Sequence, residues 1–266
     1  MKLTRRILTG ACALLIAASS AIVLSGCSEK EETVADIAAV KAAGKLVVGI
    51  TEYEPMDYKD ENGEWTGFDA EFARLFAADL GVEVEFVEID WDNKIFEVQS
   101  GAIDCIWNGM TITGEILESC SVSDPYIRNE QVIVRKADVA FEYSELSEMT
   151  GLTFAVEAGS AGESAIADTI TNITAVATQA DALLEVASGS ADACVIDATM
   201  ARAMVGDGTS YADLAEGITL TQEDYGVAFR KGSDLCDELN AFMDKIIADG
   251  SFQALGDKYG LSVVTE

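Results

Sequence analysis

Histidine is absent from the 266-residue sequence, and proline occurs only twice. Because histidine is the commonest general base and a frequent metal ligand, its absence removes the usual candidate for both roles. The sequence also contains no Cys-x-x-Cys pair, which disfavours a bound metal ion. We therefore predict neither a metal nor a cofactor.

Basic residues are scarce. Lysine and arginine total 17 against 47 aspartates and glutamates, which gives a formal net charge of −30. Such a surface repels nucleic acid and anionic lipid headgroups, and it argues against long-range recruitment of an anionic substrate. The composition, 49% apolar and 24% charged, is typical of a globular protein, and the length allows two lobes of ordinary size.

The N-terminus has the pattern of a targeting segment. Three basic residues precede an apolar run (residues 7–24), which ends in Leu-Ser-Gly-Cys at 24–27. This ending resembles the lipobox of bacterial lipoproteins, which are cleaved before the cysteine and lipidated on it. An uncleaved membrane-spanning helix is the alternative, because the run approaches spanning length. We interpret residues 1–26 as a lipoprotein signal peptide, Cys27 as the lipidation site and residues 27–44 as a tether, which predicts an extracytoplasmic, lipid-anchored protein.

Four cysteines follow this segment. Cys105 and Cys194 lie in apolar runs typical of buried strands, so we expect them to pack as small apolar residues. A disulfide involving Cys120 stays open at this point, and no partner for it, Cys236 included, can be assigned.

Two stretches share one pattern: VQSGAIDCIWNGMTIT at 98–113 and VASGSADACVIDATM at 186–200. In each, a helical segment ends at Ser-Gly, an aspartate follows, and a short buried strand leads into polar residues. Ligands bind at the carboxyl ends of strands in open α/β sheets. The similarity is either a coincidence, since such joins are common, or the mark of two similar lobes that share a cleft.

Strands and helices alternate along the chain. Strand patterns occur at 45–51, 82–89, 105–107, 131–134, 152–156, 173–176, 194–196 and 225–229, and helical patterns at 69–80, 93–99, 182–186, 235–247 and 252–259. This order predicts an α/β fold of two lobes, each a mainly parallel sheet flanked by helices, with two crossover segments. We assign 45–133 plus 227–266 to lobe 1 and 134–226 to lobe 2.

Taken in order, these segments resemble the family 3 extracellular solute-binding proteins, the receptors of bacterial polar amino acid ABC transporters. The resemblance covers about 45–260 and is carried by LVVGIT (46–51), GFDAEFARLFAADLGVEVEF (67–86), NGMTIT (108–113), SDPYI (123–127), AVEAGSAGESA (155–165), ADACVIDA (191–198) and YGVAFRKGSDLCDELN (225–240). It implies a type II periplasmic-binding-protein-like clamshell, a monomer that closes on an amino acid and delivers it to a membrane permease.

The resemblance also implies ligand contacts. The α-carboxylate would be held by Gly109 and Thr111 in lobe 1 and by the backbone at Ser160 and Ala161 in lobe 2. The α-ammonium would be held by Asp197, where a carboxylate can make a charge-assisted hydrogen bond to it.

One departure concerns the carboxylate. Ile116 stands where the family usually has an arginine, the side chain best suited to bind a carboxylate in two places at once. Either another cation substitutes, with Lys94 and Arg128 as candidates, or the ligand is not a plain α-amino acid.

A second departure concerns the side-chain pocket. The aspartate often found after the first strand is replaced by Thr51-Glu52, so Glu52, Tyr53 and Glu157 could line this pocket. Acidic residues there would favour a polar or cationic ligand side chain. Alternatively, both glutamates are ordinary surface acids. Trp107 is expected in the core because it lies inside a strand pattern.

Three functions fit this sequence. The first is a substrate-binding component of an ABC importer. The second is an enzyme on the same fold, resembling the cyclohexadienyl dehydratases, which would need a cleft carboxylic acid of raised pKa such as Glu52 or Glu157. The third is a sensory ligand-binding protein that acts through a separate partner. We predict the first, because no nucleophile–base pair is visible.

Overall fold

A computed structural model describes residues 34–265. The predicted signal peptide, the lipidation site Cys27 and the first part of the tether lie outside the described residues. Within that range, none of the helices combines the length and apolar character needed to cross a bilayer. The four cysteines it contains are buried free thiols, so Cys120 forms no disulfide there.

The first part of the chain follows the predicted alternation. Its elements are α1 (Asp36–Ala43), β1 (Lys45–Ile50), β2 (Tyr58–Lys59), β3 (Trp65–Thr66), α2 (Phe68–Leu80), β4 (Glu83–Glu88), a 3-10 turn (Trp91–Asn93), α3 (Lys94–Ser100), β5 (Cys105–Ile106), α4 (Gly114–Ser119) and β6 (Cys120–Val122).

The second part continues with further strands and helices. They are β7 (Ile127–Lys136), a 3-10 turn (Leu146–Met149), β8 (Phe154–Glu157), α5 (Ala161–Ile166), β9 (Ile173–Val176), α6 (Gln179–Ser188), β10 (Ala193–Asp197), α7 (Ala198–Met204), β11 (Leu214–Tyr225), β12 (Ala228–Arg230), α8 (Leu235–Ala248) and α9 (Ser251–Tyr259).

Two five-stranded sheets organise these elements. The first has the order β4-β1-β5-β12-β6 and the second the order β11-β7-β10-β8-β9. Each sheet is mixed, with two parallel and two antiparallel pairs. Within these two sheets, every antiparallel pair includes β7 or β12, the strands that directly follow a passage of the chain between the sheets; β2 and β3 form a separate antiparallel pair. The α/β class, with sheets flanked by helices, is confirmed, but the sheets are mixed and not mainly parallel, because β7 and β12 each pair antiparallel with both neighbours.

The chain passes between the sheets after β6 and again after β11. The second passage falls at Gly226 and Val227, so the apolar stretch predicted as one strand at 225–229 is shared between β11 and β12. The first passage precedes β7, which pairs along its length in the second sheet. A lobe division that follows the sheets would therefore begin near residue 127 and not at 134.

The two repeated stretches have the predicted local structure. Gly101 ends α3 and Gly189 ends α6, with φ of 76° and 81°, a left-handed conformation that a residue without Cβ adopts readily. The strands β5 and β10 follow, and each is the central strand of its sheet. The paired pattern thus places two strand ends where each sheet can contribute to a binding site.

Aromatic side chains form the centre of the core beneath the first sheet. The rings in mutual contact belong to Phe68, Phe72, Phe76, Trp107, Tyr126, Phe242 and Phe252. Trp107 is fully buried and its ring centre lies 4.8 Å from that of Phe72, which confirms that it packs in the core. These contacts join α2, α8 and α9 to the strand end at Trp107.

Phe72→Ala is expected to destabilise the protein by about 3–5 kcal/mol, because it opens a cavity among five aromatic neighbours. Phe96 is 69% exposed, so Phe96→Ala should change the free energy of unfolding by less than about 0.5 kcal/mol. Denaturant unfolding of both variants measures this difference. Similar values for the two would contradict the assigned core.

Candidate functional site

A cavity of about 260 Å³ is lined by residues from both sheets. Ligand pockets span roughly 300–1,000 Å³, so this volume restricts the ligand to a small molecule. On the side of the first sheet, the walls are formed by Trp91, Lys94, the loop 108–111 that follows β5, and Glu115 and Ile116 at the start of α4.

The second sheet supplies the opposite wall. Glu157 ends β8, Asp197 ends β10, and residues 159–161 cover the end of the β8–α5 loop and the first residue of α5. Ser160 caps α5, because its hydroxyl accepts a hydrogen bond from the N–H of Glu163 at 3.0 Å. Six of the ligand-binding residues proposed from the sequence thus line one cavity: Gly109, Thr111, Glu157, Ser160, Ala161 and Asp197.

Asp197 is the centre of a buried polar cluster. It is 3% exposed, and its carboxyl accepts hydrogen bonds from the side-chain amides of Asn129, Gln131 and Gln179. Burial, and next the nearby Glu223 carboxylate, raise the pKa of Asp197 well above its ordinary value. A positively charged group entering the cavity would favour the ionised form.

Thr111 and Glu223 connect this cluster to the first-sheet wall. The Thr111 hydroxyl donates to Glu223 at 2.9 Å, and Glu223 also accepts from Asn129 at 2.7 Å and from Gln131 at 2.8 Å. A hydroxyl has a single proton to donate, so Thr111 has already used it within the protein. Its side chain therefore offers a ligand an acceptor.

Glu157 is a second buried acid at the cavity. It is 2% exposed and accepts a hydrogen bond from the Thr51 hydroxyl at 3.3 Å, while Asn108 donates to that hydroxyl at 2.8 Å. Burial raises the pKa of Glu157 to about 8, although the Lys94 ammonium acts in the opposite direction. Glu157 is thus not a surface acid, and it is largely protonated at neutral pH.

Three residues proposed from the sequence lie elsewhere. Glu52 is exposed, as its alternative interpretation required. Tyr53 is 1% exposed and its hydroxyl pairs with that of Tyr225, so the ring belongs to the core. Arg128 is exposed on β7, where side chains alternate between faces and Asn129 and Gln131 take the buried face. Of the two candidate cations, only Lys94 lines the cavity.

The sequence interpretation missed the amide side chains around Asp197. Asn129 and Gln131 are buried, while Arg128 is exposed and Glu130 is half-buried, but the strand was predicted to begin only at Gln131. Extending it four residues towards the N-terminus would have placed both amides on one face. Gln179 follows Thr178, whose hydroxyl caps α6, and this capping pattern was the available signal.

The buried carboxyl of Asp69 supports the loop at Gly109, and Asp57 is a second buried carboxyl that interacts electrostatically with Asp69. Asp69 accepts a hydrogen bond from the Gly109 N–H at 2.6 Å and from the Tyr126 hydroxyl at 2.8 Å. A Cβ at Gly109 would clash with the Tyr53 ring, so this position requires glycine. Burial raises the pKa of Asp69 to about 7, and burial together with Asp69 raises the pKa of Asp57 well above its ordinary value.

Comparison with known proteins identifies the family. The model of the bacterial extracellular solute-binding proteins, family 3, matches residues 46–262. The chain belongs to this family. The L-cystine-binding protein TcyJ of Escherichia coli (strain K12) is 28% identical to it over 232 residues, which are 85% of this chain and 86% of TcyJ.

Solved structures of similar fold agree. A mutant of ArgBP from T. maritima superposes with a TM-score of 0.79 at 34% identity, covering 84% of this chain and 98% of that one. The ancestral amino acid-binding protein AncCDT-1, a precursor of cyclohexadienyl dehydratase, gives a TM-score of 0.77 at 33% identity, with coverage of 85% and 99%. The family and the two-sheet fold implied by the sequence are confirmed.

Asp57→Asn is expected to stabilise the protein at alkaline pH. Since burial raises the pKa values of Asp57 and Asp69, their contribution to stability is fully present below the ordinary aspartate pKa of about 4 and is lost as pH rises through the raised pKa values, which is about 7 for Asp69. The wild-type melting temperature should therefore fall as pH rises from about 4 to about 7, and Asp57→Asn, which cannot ionise, should reduce that fall. Asp207→Asn, at an exposed position, is the matched control. Parallel pH profiles for all three proteins would contradict the role given to the pair.

Proposed function

We propose that this chain is the extracytoplasmic, lipid-anchored substrate-binding component of an ABC importer, and that it binds a polar amino acid with a cationic side chain. The observation that carries the choice of ligand is the set of carboxyl groups at the cavity, which a bound cation would ionise. Three carboxyl groups line it, those of Glu115, Glu157 and Asp197, against the single lysine Lys94. A zwitterion with one further positive charge complements this set.

Asp197 is the proposed site of the α-ammonium group. Its carboxyl is already fixed in orientation by three amide donors, so little ordering is left to occur on binding. An ammonium would form a charge-assisted hydrogen bond in a place from which water is excluded. Glu157 would then be available for the cationic side chain.

Closure is the proposed mechanism. The cavity walls come from elements of both sheets, so a ligand inside contacts both only when the sheets are close together. A ligand that binds one conformation more tightly shifts the population towards it. The liganded form would be the one that docks on the permease, and the protein would act as a monomer.

Catalysis is the alternative, and one observation favours it: a carboxylic acid with a pKa of about 8, Glu157, lies at the cavity. AncCDT-1 shows that amino acid binding and a dehydratase lineage occur on one fold. We propose binding without catalysis for two reasons. Glu157 already accepts a hydrogen bond from Thr51, and the family to which the chain belongs consists of solute-binding proteins. Recovery of unchanged ligand after prolonged incubation supports this choice.

Arginine or lysine is expected to raise the melting temperature of residues 28–266 by several degrees. A ligand at about 100 times its Kd stabilises by roughly 2.7 kcal/mol. Asp197→Asn keeps the shape of the side chain but removes its charge, so the shift should disappear. Asp168→Asn, at an exposed position, should retain it. A full shift with Asp197→Asn would exclude the ammonium assignment, and glutamate matching arginine would exclude the cationic ligand.

Glu157→Gln is expected to weaken a cationic ligand more than a neutral one such as glutamine. Because a bound cation favours the ionised carboxyl, binding should release a proton, and affinity for arginine should rise between about pH 6 and pH 8. Calorimetry in buffers of different ionisation enthalpy counts these protons. Arginine binding to Glu157→Gln should release fewer protons than binding to the wild type, and the protons still released would come from Asp197. Glu52→Gln serves as the exposed control, and equal proton release in both variants would contradict this role for Glu157.

A further inference from the structure

Lys94 begins α3 at the wall of the cavity. Its ammonium nitrogen donates to the backbone oxygen of Gly159 at 2.8 Å and to that of Trp91 at 3.1 Å, and it lies 4.9 Å from the centre of the Trp91 ring. An ammonium group carries three N–H donors. Two are directed to these carbonyl oxygens, which leaves the third for a group inside the cavity.

Acidic side chains surround this ammonium group. Burial lowers the pKa of Lys94, and the carboxylates of Glu157 and Glu115 act against that effect. Among the described residues that line the cavity, Lys94 is the one basic side chain. Any anionic part of a ligand is therefore attracted by Lys94 and repelled by Glu115, and it is repelled by Glu157 and Asp197 once a bound cation ionises them.

The wall next to Lys94 offers a carboxylate little else. Ile116 is 2% exposed and packs in one apolar cluster with Trp91, Met110 and Cys120. A carboxylate buried against apolar and acidic groups without a cationic partner is strongly unfavourable. An amino acid in this cavity would therefore bind most favourably with its carboxylate close to Lys94.

We propose that Lys94 binds the ligand's carboxylate and thereby makes the site select amino acids over the corresponding amines. This assignment rests on the proposed function, since it requires a ligand that carries both charges. Lys94 belongs to a different group of side chains from Asp197, whose hydrogen-bonding neighbours are amides of β7 and α6. Two separate elements would thus fix the two ends of the zwitterion.

A purely structural role for Lys94 leads to a different expectation. Its bond to Gly159 ties the loop after β8 to α3, and that loop already packs closely there: an added Cβ at Gly159 would come within 2.8 Å of the Asp92 Cα. If Lys94 only fastened this loop, its loss would weaken every ligand by the same factor, whether or not the ligand carries a carboxylate.

The test compares arginine with agmatine, which is the same molecule without the carboxylate, by titration calorimetry. The wild type should bind arginine at least roughly tenfold more tightly than agmatine, the loss expected for one hydrogen bond between charged groups. In Lys94→Gln the preference should vanish, because arginine binding weakens and agmatine binding does not. Lys94→Arg should restore the preference. Lys59→Gln, at an exposed lysine paired with Glu88, should leave it unchanged.

Two results would overturn the assignment while leaving the proposed function intact: equal affinities for arginine and agmatine in the wild type, or an unchanged ratio in Lys94→Gln. Binding of neither arginine nor lysine to the wild type would instead contradict the proposed function, and the role of Lys94 with it. Lysine and cadaverine provide a second matched pair. A thermal melt of each variant without ligand confirms that it is folded.

Discussion

Four carboxyl groups are buried in the described part of this protein while no basic side chain donates a hydrogen bond to them: Asp57, Asp69, Glu157 and Asp197. Burial raises the pKa of each. Ionising such a group inside the protein is unfavourable unless a cation approaches. The chain has 17 basic residues against 47 acidic ones, so it supplies few cations of its own. A cationic ligand would supply the positive charge that the buried acids at the cavity lack.

This constraint divides the molecule into two parts. The aromatic core under the first sheet contributes stability through apolar burial, and it fixes α2, from which Asp69 holds the Gly109 N–H. The cavity is expected to contribute less stability, because its two buried acids are removed from water and only amide and hydroxyl groups donate hydrogen bonds to them. Residues that serve binding commonly reduce the stability of the free protein, and the ligand then restores it.

The sequence was most informative where a pattern carried a physical mechanism. The repeated helix–glycine–strand stretches predicted β5 and β10 and thereby the positions of Gly109, Thr111 and Asp197 at one cavity. The sequence was least informative where packing decides whether a side chain points into the protein or to the surface. Tyr53 is buried although the preceding Glu52 is exposed, and Arg128 is exposed although the following Asn129 is buried. The strand β11 was missed because its register with β7 shifts twice, between Glu216 and Thr221, which breaks the alternation that reveals a strand.

Ile116 stands where the family usually has an arginine, but the loss of this guanidinium need not remove carboxylate binding from the site. Ile116 completes an apolar cluster with Trp91, and the charge enters the same cavity from Lys94 on a different helix. An ammonium is a compact charge without the paired geometry of a guanidinium, so it fixes the position of a carboxylate more than its orientation. Orientation is then left to the ammonium end of the ligand at Asp197, where three amides hold the carboxyl in place. Selectivity for a cationic side chain would then depend on the acidic side of the cavity, and selectivity for the carboxylate on Lys94.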